Sequence, residues 1–146
     1  MRHRSVLHTL GLAALLVCPL VAAQDRKAPA ARLVEIRSYN LKPGTRDRFH
    51  RRFVQESLPM LRRWNVDVVA YGPSLHDHDS WCLMRGFASV EARQKSEDAF
   101  YGSDEWKTGP REATLADIES YTTVVVRLDD AAIKGLRALP ARAEPR

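Results

Sequence analysis

The twelve residues "LVEIRSYNLKPG", 33–44, decide how the rest of the chain is read. They form a strand pattern closed by a Pro-Gly turn. Side chains alternate across a strand, so Val34, Ile36, Ser38 and Asn40 share one face, and Leu33, Glu35, Arg37, Tyr39 and Leu41 the other. Two charges and a phenol in a row on one face either meet water or line an enclosed polar space.

Working outward from that strand, Thr45 is placed to cap a helix. Phe49, Phe53, Leu58 and Leu61 follow helical spacing up to Trp64, and Pro59 kinks or restarts the helix. The β-branched stretch 66–72 and "WCLMRGF", 81–87, form a hairpin of two strands joined by the polar "PSLHDHDS". Ser89 caps a second helix to about residue 101, with Val90, Arg93, Glu97 and Phe100 among its positions. "GSDEW" restarts helix that runs irregularly to about residue 117. "IESYTTVVVRL", 118–128, is the most β-prone stretch.

The order strand, helix, strand, strand, helix, strand predicts an α+β, ferredoxin-like βαββαβ fold with a four-stranded antiparallel sheet and helices on one face. The third and fourth strands carry apolar residues on both faces, so the second face needs cover. A second copy of the chain supplies it most simply, giving two sheets face to face. On that expectation Glu35, Arg37 and Tyr39 face a lumen between two sheets, joined by Tyr71, Arg85 and Tyr121. There they bind a small polar or anionic molecule, with Arg37 as clamp and Tyr39 as donor. A purely structural ion-pair network among the same residues is the competing reading.

The domain occupies residues 32–128. Residues 1–23 have the order of a signal peptide: Arg2 and Arg4, an apolar run too short for a bilayer, then "VAA". This predicts a periplasmic or secreted protein with no stable membrane insertion after cleavage. Residues 24–31 are a linker, and 129–146, rich in Ala, Arg and Pro, a flexible tail. The whole chain carries 23 basic and 18 acidic residues. Loss of Arg2 and Arg4 leaves 21 basic against 18 acidic, a mild excess dispersed among acids, as in "RDRFHRRFVQE". Nucleic acid is therefore set aside. Cys18 leaves with the leader, so Cys82 has no partner for an internal disulfide; it reads as a small core residue.

"EIRSYNLKPG", Arg93, "GSDEW" and "IESYTTVV" together resemble the NIPSNAP family of the dimeric α/β-barrel superfamily. The resemblance spans about residues 33–128 and implies a ferredoxin-like fold dimerised through its sheets, in an exported bacterial form. It implies no activity. Superfamily relatives include cofactor-independent monooxygenases and heme degraders. Heme degraders share an Asn on the first strand, a Trp in the second helix and a His after the "SD" turn. Here those places hold Arg37, Phe100 and Pro110, so the heme ligand is missing and that reading is poor; no cofactor is expected.

Other candidates fall short. "HDHD", 76–79, suggests a metal, but a catalytic zinc site takes about three protein ligands, and a solvated hairpin tip explains the run. His50 flanks the apolar stripe of the first helix and reads as a boundary residue. Two classes of function stay open besides small-molecule binding: a cofactor-independent monooxygenase or isomerase acting in the same lumen, and an interaction module.

Overall fold

The computed structural model describes residues 31–138. The expected leader, nearly all of the linker and the last eight residues of the expected tail lie outside the described residues. Strand β1 (Ala31–Leu41) runs the full length of the opening stretch. It ends at a turn where Gly44 adopts φ 73°, a left-handed conformation that glycine enters without a Cβ clash. Helix α1 (Arg46–Arg52) follows. Thr45 sits at its N-cap, but its hydroxyl donates to the Lys42 carbonyl at 2.8 Å instead of accepting from the helix.

Pro59 acts as the sequence predicts. The helix widens into a π segment (Phe53–Ser57) and resumes as α2 (Leu58–Arg63), with Pro59 in its first turn. Proline has no N–H to give, and the wider turn absorbs the missing bond without a break. Asn65, at φ 55°, closes α2, and the Val66 N–H reaches back to the Leu61 carbonyl at 2.9 Å.

Strands β2 (Asp67–Pro73) and β3 (Ser80–Phe87) form the hairpin. Ser89 caps α3 (Val90–Gly102), its oxygen accepting from the Ala92 N–H at 3.1 Å. Ser103 repeats the device for α4 (Asp104–Thr108), accepting from Trp106 N–H at 3.2 Å. Helix α5 (Arg111–Asp117) leads into β4 (Ile118–Asp129). The sheet order is β2-β3-β1-β4, all neighbours antiparallel, which is the ferredoxin-like topology.

Helices α1 to α5 cover one sheet face. At the β2 end of this layer Trp81, 1% exposed, packs against Phe53 and Phe49 with ring centroids 4.6 and 5.2 Å apart. Its indole donates to His50 Nδ1 at 3.2 Å, so His50 does sit at the edge of the core. Buried Asp117 ties α5 to α1 by accepting from Arg48 and Arg52, each at 2.7 Å.

Two expectations are corrected. Residues 129–146 were to fray, yet Asp130–Ala138 form helix α6 on the opposite sheet face. Ile133 is buried there against Val34 and Val69, with Leu136 beside it, and Arg137 pairs with Asp67 at 2.6 Å. The spacing of Ile133 and Leu136 gives one apolar stripe, which the Ala- and Arg-rich composition disguised. The second correction concerns the face that carries Glu35, Arg37 and Tyr39. It turns towards the helices of its own chain, not towards a lumen between sheets. Alternation separates the two faces but does not say which one the helices cover, and α3 is polar enough to pair with these charges.

Candidate ligand-binding cleft

Register brings the cleft's charges together. Across β1 and β3, Glu35 faces Arg85, Arg37 faces Leu83 and Tyr39 faces Trp81; across β1 and β4, Arg37 faces Thr123 and Tyr39 faces Tyr121. Helix α3 lies over this half of the sheet with Arg93, Glu97 and Tyr101 one turn apart on a single side.

The result is a closed ionic layer. Glu35 and Arg85 are 0% and 1% exposed. Arg85 Nη2 donates to Glu35 Oε1 at 2.5 Å and also to Glu97 Oε1. Arg93 Nε donates to Glu35 Oε2, and Arg93 Nη2 pairs with Glu97 Oε2 at 2.9 Å. Arg37 Nη2 lies 3.1 Å from an oxygen of each glutamate. Burial alone would raise the Glu35 carboxyl, but Arg85 and then Arg37 outweigh it and hold its pKa at about 2. Glu97 moves the other way: burial and the neighbouring Glu35 carboxyl raise it against the pull of Arg85 and Arg93.

Three guanidinium groups, of Arg37, Arg85 and Arg93, thus face two carboxylates. Such a layer carries surplus positive charge. Arg37 Nε and Arg85 Nε are buried without a partner among the described residues.

Above this layer lies an open cleft of about 760 Å³ between the β1–β4 half of the sheet and α3, α4 and α5. Arg37, Arg93 and Arg111 bring positive charge to it against the carboxylates of Glu97 and Asp98, and Tyr39, Tyr101, Trp106 and Tyr121 bring aromatic surface. Arg111 makes no ion pair among the described residues. Arg37 stacks over Tyr121 at 5.1 Å from the ring centroid. Burial, and then neighbouring Tyr101, push the Tyr39 phenol above its ordinary pKa, so it stays protonated. Thr114 adds a buried hydroxyl with no partner among the described residues.

Of the six residues singled out in the sequence, Arg37, Tyr39 and Tyr121 line the cleft. Glu35 and Arg85 lie beneath it and hold Arg37, Arg93 and Tyr101 in place. Tyr71 is elsewhere: it sits on the far edge strand β2, 4.9 Å from Phe53 in the aromatic core. Alternation alone put it with the others, and sheet order took it away. Sequence reasoning missed Tyr101 and Arg111 altogether. It listed Glu97 only as a helical position, because a polar stripe on a helix looks the same whether it meets water or a buried charge. Asp77 and Asp79 of the "HDHD" run hold the hairpin turn, Asp77 accepting from the Asp79 N–H at 2.9 Å and Asp79 from the Gly44 N–H at 3.1 Å. Cys82 lies on the opposite face of the sheet, where burial raises its thiol pKa.

Fold and cleft together define a ferredoxin-like α+β protein with an open cleft lined by arginines and aromatic rings. Its fold is that of NIPSNAP family proteins. One from Agrobacterium tumefaciens superposes with a TM-score of 0.64 at 16% identity, over 70% of this chain and 90% of its own. A second, of unknown function and from the same organism, gives 0.63 at 17%, over 77% and 96%. A NIPSNAP-like domain protein from Burkholderia xenovorans gives 0.60 at 18%, over 66% and 84%. No family model and no curated protein matches the chain.

Proposed function

We propose that this chain is an exported, homodimeric protein of NIPSNAP type that binds a small anionic molecule in the cleft of each protomer. One observation carries the reading: the cleft's ionic layer sets Arg37, Arg85 and Arg93 against Glu35 and Glu97, and Arg111 adds a further cation at the cavity wall. A wall with surplus fixed positive charge and aromatic surface favours a carboxylate attached to a flat apolar body. A cavity of about 760 Å³ has room for one. The unpaired buried nitrogen of Arg37, a residue of the cleft wall, fits a site tuned for negative charge better than a purely structural network, which would satisfy it.

Benzoate is a direct probe. Titrated into the protein and followed by tryptophan fluorescence, since Trp106 lines the cleft, it should bind saturably and more weakly as salt rises. Arg111→Ala, a change at an exposed position, should weaken it roughly tenfold, the value of one charge-assisted contact. Absence of saturable binding, or an Arg111→Ala variant that binds as well as wild type, would sink the reading. The signal-peptide-like order of residues 1–23 supports export, and the uncovered part of the opposite sheet face supports pairing of two chains.

A further inference from the structure

The hydroxyl of Tyr101 is held in an unusual way. It accepts from Arg37 Nη1 at 3.1 Å and from Arg85 Nη1 at 3.2 Å. The centres of those two guanidinium groups also lie 6.0 and 5.7 Å from its ring centroid. A phenol has one O–H to donate and limited capacity to accept. Two cationic donors fill that capacity, and neither can take the phenol's own hydrogen, since a guanidinium has no acceptor. The hydrogen is left to point away from both, and Tyr101 is part of the cleft wall. Its lining also holds Arg93 and Arg111, cations for a carboxylate, and Trp106, Leu115 and Ile118, apolar surface for a tail.

We infer that the cleft selects carboxylates with a second oxygen acceptor next to the carboxylate, such as aryl 2-oxo acids, and that Tyr101 is the donor that reads this second oxygen. The inference rests on the anion-binding reading above and adds a specificity to it. Arg37 and Arg85 act through Tyr101, fixing its rotation and leaving its hydrogen free. Glu35 in turn fixes Arg85. The buried ionic layer thereby becomes a device that aims one hydroxyl.

Phenylpyruvate and 3-phenylpropionate make the test, because they share the carboxylate and the phenyl tail and differ in the 2-oxo group. Wild-type protein should bind phenylpyruvate about tenfold or more tightly than 3-phenylpropionate, the worth of one directed hydrogen bond. Tyr101→Phe should bring the ratio to near one by weakening phenylpyruvate alone. The wild-type ratio stands even if that variant folds poorly. Equal affinities in wild type, or binding of neither compound, would overturn the inference. Benzoate then separates the two failures: if it still binds, only the Tyr101 specificity is lost, and if it does not, the anion site goes with it. A preference that survives Tyr101→Phe would assign the second oxygen to another donor and overturn the role of Tyr101.

Discussion

Glu35 is where a single atom's surroundings have the largest consequence. It has no exposed surface, and its two oxygens take donors from Arg85 and Arg93. Its carboxyl falls from the ordinary 4.5 to about 2 in the folded protein. The unfolded chain therefore binds more protons between these values, so stability rises with pH across that window. Glu35 contributes its full share above about 5 and loses it as pH falls towards 2, an amount of about 3 kcal/mol. Urea unfolding from pH 2.5 to 6 should show that slope. Glu35→Gln should flatten it and cost roughly 3–5 kcal/mol at neutral pH, since Arg85 is then left buried and short of its anion. A slope that survives the substitution would place the titration elsewhere. Glu97 has the opposite sign, its raised carboxyl giving stability that declines as pH climbs past the ordinary value. Little of this was legible beforehand. Alternation picked out Glu35, Arg37 and Tyr39, but Arg93, Glu97 and Tyr101 read as an ordinary polar helix face until the sheet lay under them.

At the scale of elements, α6 has most at stake in few contacts. Ile133, 4% exposed, is its one buried side chain, and Arg137 fastens its last turn to Asp67, which Arg32 also holds at 2.8 Å. Ile133→Ala should cost roughly 2–4 kcal/mol, less if the helix simply detaches and the sheet remains folded. Limited proteolysis distinguishes the two, because a detached α6 is clipped near residue 130 while the remaining domain resists. No change in either stability or cleavage would mean that α6 contributes nothing to the fold. The helix was illegible for a physical reason: two apolar residues three apart make a stripe only if a surface awaits them. That surface, Val34, Val69 and Val126, is assembled from three strands distant in sequence. By contrast the strands and α3 were legible because β-branched runs and serine caps act locally. Pro59 was legible for the same reason, its missing N–H being a property of one residue.

For the whole molecule, the consequence is which face is left for a partner. Once the helices take the Glu35 side and α6 takes one end of the other, a strip remains around Ile36, Met84 and Val124. Val124 is 51% exposed, and β4, twelve residues long, is an edge strand. A long apolar edge and an open sheet face are liabilities for an isolated chain, and pairing through them removes both. The cleft opens on the other side of the sheet, so two copies can pair without closing it. Light scattering after size exclusion should therefore give twice the chain mass at micromolar concentration. Val124→Glu would set two carboxylates into the joined face and raise the dimer dissociation constant at least about tenfold, while leaving benzoate binding intact. A wild-type monomer would leave the strip without the partner assigned to it. A dimer indifferent to Val124→Glu would move the contact to another surface. Loss of benzoate binding on dissociation would show that the cleft needs the second chain after all, restoring in altered form the shared cavity expected from the first strand.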